Sequence, residues 1–225
     1  MPVLIGVDGY RGGWVAAVLA DDAIRWRIGP VGAIDRVVAD ASVAAIDIPI
    51  GLTDTGWRTC DVEAKNRLGR AGSRVFMTPP RDVIELGLAV PNEVVQEAAR
   101  RLTGQGVSRQ ALGLAQRILD VDRLLPDARI IEVHPELSFL AMTGAALTPK
   151  KTAAGAAERT TALAGWRSDI ADALAHRPDR VPIDDALDAL AALWTAQRHA
   201  TGASIAVPDD TVECDRRGVA MRIMI

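Results

Sequence analysis

The apolar positions divide the chain into short buried strands and amphipathic helices. Residues 3–7 form an unbroken apolar or glycine run that ends at Asp8; a glycine-rich turn follows, and a second apolar run occupies Val15–Ala20. That pattern predicts a β-hairpin whose first strand is buried on both faces and carries one carboxylate at its tip. Gly9, Gly12 and Gly13 supply the backbone freedom that a tight or bulged connection needs. Asp21 and Asp22 turn the chain into a third strand, Ala23–Ile28, along which Ile24, Trp26 and Ile28 alternate. A short helix over Gly32–Ala39 leads to a buried strand, Val43–Ile48, with Asp47 near its C-terminal end.

Residues 53–91 show neither period, are broken by Gly69, Gly72, Pro79 and Pro80, and are expected to be irregular. Helical spacing returns at Asn92–Leu102, with Asn92 as N-cap, and at Ser108–Leu125. Arg129–Val133 is an apolar strand with Glu132 embedded in it; Pro135 stops it, and a helix starts at Glu136. One long helix is predicted over Ala154–His176. The last helix, Pro182–Ala200 with Asp184 as N-cap, places Leu187, Leu190 and Trp194 on one face. Asp185 and Asp188 share another face, along which Ala192 and Thr195 are small enough to let the helix lie close to a sheet. Residues 204–207 and 218–225 read as short terminal strands.

Three strands, a helix and a fourth strand predict an α/β domain, whose central sheet is mixed, antiparallel first and parallel afterwards, if the fourth strand is a parallel neighbour of the first. One domain over residues 1–225 is expected, with a helical and basic insertion at about 53–127. With 49% apolar and 24% charged residues among 225, the chain can bury a sizeable core. A formal net charge of −3 excludes a globally basic nucleic-acid binder, so any polyanion contact must be local. Two cysteines, Cys60 and Cys214, have no metal-site spacing and read as free thiols. No signal-peptide pattern and no membrane-spanning apolar run is visible, and a cytoplasmic location is expected.

The acids carry the chemistry. Asp8 and Asp47 end two strands that meet at one sheet edge if the strands are parallel neighbours, the position where α/β sheets form sites. Glu132 within an Ile-Ile-Glu-Val run is either a site residue or an edge-strand residue facing solvent. Asp185 fits a helix-dipole role in the first turn, which Asp188 in the second turn does not. His134 reads as a structural residue before proline or as a general base. Carboxylates from separate elements in apolar surroundings favour a hard cation, Mg²⁺ or Mn²⁺, over zinc. Two such ions roughly 4 Å apart would support phosphodiester hydrolysis. Arg58, Lys65, Arg74 and Arg81 in the basic segment, Arg11 in the hairpin turn, and Lys150 with Lys151 before the long helix are candidate phosphate contacts; the alternative is a solvated surface.

The opening hairpin with its aspartate, the third strand, the helix and the acid-ended fourth strand resemble an RNase H-like fold. The DDALD helix is similar to the acidic C-terminal helix of Holliday-junction resolvase-type members of that superfamily. GVDGYRGGW, IDIPIGL, EVHPELSF, KKTAAGAAER and DDALDALAAL together resemble the family named domain of unknown function 429, whose members are described as predicted RNase H-like nucleases. The resemblance implies a hydrolase acting on nucleic acid, with Asp8 and Asp47 as strand ligands, Asp185 and Asp188 completing the metal site, and Glu132 as a further motif residue. The first helix offers Asp35 and Asp40 but no glutamate in the ribonuclease context, so the resolvase-like arrangement fits better. A nucleotide-binding phosphotransferase or ATPase-like protein is one alternative, although the chain has no second acid-glycine hairpin. A non-catalytic module binding nucleic acid or protein is the other. No membrane partner is expected, and a homodimer stays open.

Overall fold

The computed structural model describes residues 2–225. The chain divides into two compact units: Met1–Ile48, Asp127–Ile205 and Met224–Ile225 form the first, and Pro49–Pro126 with Ala206–Ile223 form the second. The second unit therefore contains the expected insertion together with a late segment, 206–223, that no pattern in the sequence assigns to it.

In the first unit, strands β1 (Leu4–Tyr10), β2 (Gly13–Ala20), β3 (Ala23–Gly29), β4 (Val43–Ile46) and β5 (Ile130–Val133) lie in the order β3-β2-β1-β4-β5. The first three are antiparallel, whereas β4 is parallel to β1 and β5 is parallel to β4. This is the mixed α/β sheet that the strand-strand-strand-helix-strand order predicts. Tyr10 pairs with Gly13, leaving Arg11 and Gly12 as a two-residue turn. Only Gly13 of the three hairpin glycines has a positive φ, 138°, and there a side chain would meet the Gly29 carbonyl. At Asp21 and Asp22 the chain takes two left-handed residues, which suits a tight β2–β3 hairpin.

The first unit's helices are α1 (Ile34–Val37), α7 (Pro135–Thr143), α8 (Ala153–Ala164), α9 (Ile170–Ala175) and α10 (Ile183–Ala200); α2 to α6 belong to the second unit. The long helix expected over Ala154–His176 is two, since the chain leaves α8 at Gly165 before α9 begins. Pro182, not Asp184, stands at the N-cap of α10, so both Asp184 and Asp185 sit within its first turn. Thr195 does not face the sheet: its hydroxyl is 2.9 Å from that of Ser138 on α7. The close approach to the sheet occurs at Gly6. A Cβ there would lie 2.0 Å from the Leu193 nitrogen and 2.3 Å from the Ala189 carbonyl, so α10 crosses β1 with backbone almost against backbone.

The second unit is more ordered than its sequence suggests. It holds α2 (Thr59–Leu68), a 3-10 turn at Gly69–Arg74, α3 (Arg81–Leu86), α4 (Asn92–Thr103), α5 (Arg109–Gly113) and α6 (Ala115–Asp122). Pro91 rather than Asn92 caps α4, and the helix expected over Ser108–Leu125 breaks after Gly113. Val83, Val95, Ala99 and Val107 form a core against which Trp57, Leu86, Leu102 and Leu112 pack. Short strands close the chain at β6 (Ala206–Val207), β7 (Glu213–Cys214), β8 (Ala220–Met221) and β9 (Ile223–Met224). Neither Cys60, which is buried, nor Cys214, which is exposed, is in a disulfide. Among the described residues no helix is long and apolar enough to cross a membrane.

Candidate functional site

The crossing of α10 over β1 fixes the site. Side chains on a strand alternate between faces, so Asp8, two residues beyond Gly6, projects to the face that α10 covers. Gly6 pairs with Ala45 on β4, and the Asp47 amide continues the ladder by donating to the Val7 carbonyl at 2.9 Å. Asp47 thus emerges beside Asp8 at the carboxyl ends of two adjacent parallel strands. Asp188 precedes Ala189, the residue whose carbonyl touches Gly6, and Asp185 lies one turn earlier. Three elements far apart in sequence bring four carboxylates to one end of the sheet.

Burial and mutual repulsion show in their acidities. Asp8 is buried; desolvation, then the charges of Asp47 and Asp188, raise its carboxyl well above the ordinary range. Desolvation and Asp188 push half-buried Asp47 up to about 8, and desolvation with Asp184 pushes Asp185 up to about 6. Asp188, 2% exposed, is also raised, chiefly by burial. The Gly9 amide donates to Asp8 Oδ1 at 2.7 Å, whereas Asp188 Oδ1 is buried and has no hydrogen-bond partner.

The cation among these acids is Lys150. Its Nζ donates to Asp188 Oδ2. Burial opposes its charge, but Asp188, Asp8 and Asp47 outweigh that and hold the ammonium protonated. Sequence reasoning placed Lys150 with Lys151 as a phosphate contact; the structure sends Lys150 inward and leaves Lys151 exposed. The loop that delivers it is tightly held. Thr152 caps α8 by accepting from the Gly155 amide at 3.0 Å and donates to the Pro149 carbonyl at 2.8 Å. A side chain at Gly155 would collide with that carbonyl, which is 2.2 Å from the Cβ position. Arg159 donates to the Thr148 carbonyl at 2.8 Å, and Glu158 accepts from the Thr148 amide at 2.7 Å.

Glu132 takes a different place. It pairs with Ile46, so the pleat puts it on the Val7 face of the sheet, away from Asp8 and α10. It does not face solvent, because Glu132 is buried, and its charge reaches Asp47 as a minor contribution. The acid that sequence reasoning missed is Glu136, in the first turn of α7, whose charge acts on both Asp47 and Asp188. Its Oε1 accepts from Arg159 Nη2 at 2.5 Å, and the fully buried guanidinium stacks 5.2 Å from the Phe139 ring centre. An acid three residues after a strand and next to a proline reads as ordinary helix-start chemistry, which is why it carried no signal.

The basic segment divides in the same way. Arg58, 1% exposed, pairs with Asp61 and donates to the Ile50 carbonyl at 3.0 Å. Arg81 bridges Asp122 at 2.7 Å and Asp215 at 3.0 Å in the interior of the second unit. Both are held in the interior by these ion pairs. Lys65 and Arg74 are half-buried at the surface of that unit, and Arg11 is exposed at the hairpin turn.

The donor set is chemically suited to a hard divalent cation: four carboxylates, one with an unpartnered buried oxygen, and no thiolate or imidazole among them. Lys150 is paired with one of them, Asp188, and among the described residues no group of three or more Asp, Glu, His or Cys side chains is gathered as a ligand sphere. Neither the curated proteins nor the solved structures contain a match to the chain. A family model does match: residues 6–213, which include every acid of this cluster, fit the family described as protein of unknown function (DUF429), and the chain belongs to that family.

Proposed function

We propose that this protein is a nuclease of RNase H-like fold that hydrolyses phosphodiester bonds of nucleic acid with Mg²⁺ or Mn²⁺. The observation that carries the reading is Asp188: a carboxylate buried beside Asp8, with one oxygen lacking any partner. Such a group costs stability in an apolar protein and is retained where a cation uses it. Asp8, Asp47, Asp185 and Asp188 would hold the metal. When bound, the cation supplies Lewis acidity toward a phosphoryl oxygen and a route to a water nucleophile at neutral pH. Asp8 and Asp47, rigid at two strand ends, fix the position of the charge; Asp188 and Asp185 approach it from α10. Glu136, locked to Arg159, holds negative charge behind Asp188 without leaving its ion pair. Lys151 and Arg11 stand exposed in the same unit as candidate backbone-phosphate contacts.

The test is Mn²⁺-dependent cleavage of labelled single-stranded, duplex and branched DNA and RNA, with Asp8→Asn in parallel. Loss of at least about a hundredfold in the variant is expected, the scale of removing a group that positions transition-state charge. A wild-type rate in Asp8→Asn overturns the reading.

A further inference from the structure

We infer that Lys150 is a tethered counter-ion that a divalent cation must displace from Asp188 in order to bind. This rests on the metal reading above. The geometry is direct: the Lys150 ammonium occupies one oxygen of Asp188, while the other oxygen is buried and unpartnered. Two cations on that carboxylate repel each other, so occupancy by one opposes the other.

The surroundings make Lys150 removable and little else. Its side chain is 35% exposed, so an outward path to solvent exists, and four methylene groups allow it to swing by rotamer change alone. The backbone beneath it is held by Thr152, Gly155 and Arg159 and does not need to move. The neighbouring cation, Arg159, is the opposite case. Fully buried, it is bound at once to Glu136, to two carbonyls and over Phe139, and so is fixed. The site therefore pairs one permanent cation with one exchangeable one. Without metal the exchangeable cation limits the repulsion among Asp8, Asp47 and Asp188; with metal it leaves, and an ammonium becomes free at the site entrance.

The experiment uses the full chain at pH 8 and has two readouts independent of cleavage. Calorimetric titration of Mn²⁺ into metal-stripped wild type and Lys150→Met compares affinities, and limited acetylation with mass mapping follows Lys150 itself, with exposed Lys151 as internal control. At least tenfold tighter Mn²⁺ binding by Lys150→Met is expected, with a several-fold rise in Lys150 acetylation in wild type on Mn²⁺ saturation while Lys151 is unchanged. Equal or weaker binding by the variant, or Lys150 labelling indifferent to Mn²⁺, overturns displacement and leaves the metal site standing. Absence of Mn²⁺ binding in both proteins overturns the metal reading and displacement together. Should Lys150→Met not fold, the labelling of the wild type decides alone.

Discussion

At the scale of single residues, the cluster predicts opposite effects for neighbouring acids. Asp47 is pushed up to about 8, above the unfolded carboxylate, so the metal-free folded protein holds a proton that the unfolded chain releases. Stability contributed this way falls as pH rises from the ordinary carboxylate range through about 8, and above that the full cost of a buried charge is present. Asp47→Asn removes the cost, and its melting temperature at pH 8 without metal should exceed that of wild type, by about 2–4 °C for each kcal/mol relieved. Asp188→Asn should not gain, because it also strips Lys150 of its partner. Thermal scans at pH 5 and pH 8 check both; an Asp47→Asn melting point below wild type at pH 8 contradicts the assignment. Asp8, Asp47 and Asp188 were legible in the sequence because each interrupts an apolar run for which packing gives no reason. Lys150 was not. It sits in a polar loop 38 residues before its partner, and a lysine pair in a loop looks the same whether it meets solvent, phosphate or a buried acid.

At the scale of elements, the site depends on how closely α10 lies on β1. Gly6→Ala places a methyl inside the α10 backbone at 2.0 Å, which no side-chain rearrangement relieves, so the helix must lift. A loss of at least about 1–3 kcal/mol is expected, measured by urea denaturation, together with weaker Mn²⁺ binding because Asp188 moves with the helix. The strands and the helix α10 could be read from periodicity, whereas the face of α10 that meets the sheet and this crossing point could not, since a glycine in a strand only signals that something comes near. The second unit shows the same limit. Arg81 looked like a surface cation because its partners, Asp122 and Asp215, follow it by 41 and 134 residues. Burial works to raise Asp215, yet amide donors from Val219, Arg217 and Leu52 and the Arg81 guanidinium hold it below the usual carboxylate range. Its contribution is complete above that range and is lost as pH falls through the lowered value. Asp215→Asn should cost about 1.5–3 kcal/mol at pH 7, the scale for hydrogen bonds to a charged group, since Arg81 keeps its pairing with Asp122, and the difference from wild type should shrink on acidification.

At the scale of the whole molecule, a net charge of −3 and an acidic cluster leave nucleic-acid contact to a few local cations. Half of the arginines proposed for it from sequence, Arg58 and Arg81, are consumed by internal ion pairs, which leaves Lys65 and Arg74 on the second unit, beside exposed Arg70. The division into two units lets the roles be separated: the carboxylates and Lys150 all belong to the first, and these cations to the second. If polyanion binding uses them, Lys65→Gln with Arg74→Gln should weaken oligonucleotide affinity and lower the slope of log affinity against log salt by about 2, one for each released counterion. Mn²⁺ affinity should be unchanged in the same double variant, because neither residue is among the main charges acting on Asp8, Asp47 or Asp188. Fluorescence anisotropy over a salt series against calorimetric Mn²⁺ titration measures the two quantities separately. An unaltered salt slope removes Lys65 and Arg74 from nucleic-acid contact and shifts the electrostatic load to other cations, among them Arg70, Arg11, Lys151 and the lysine that metal would release.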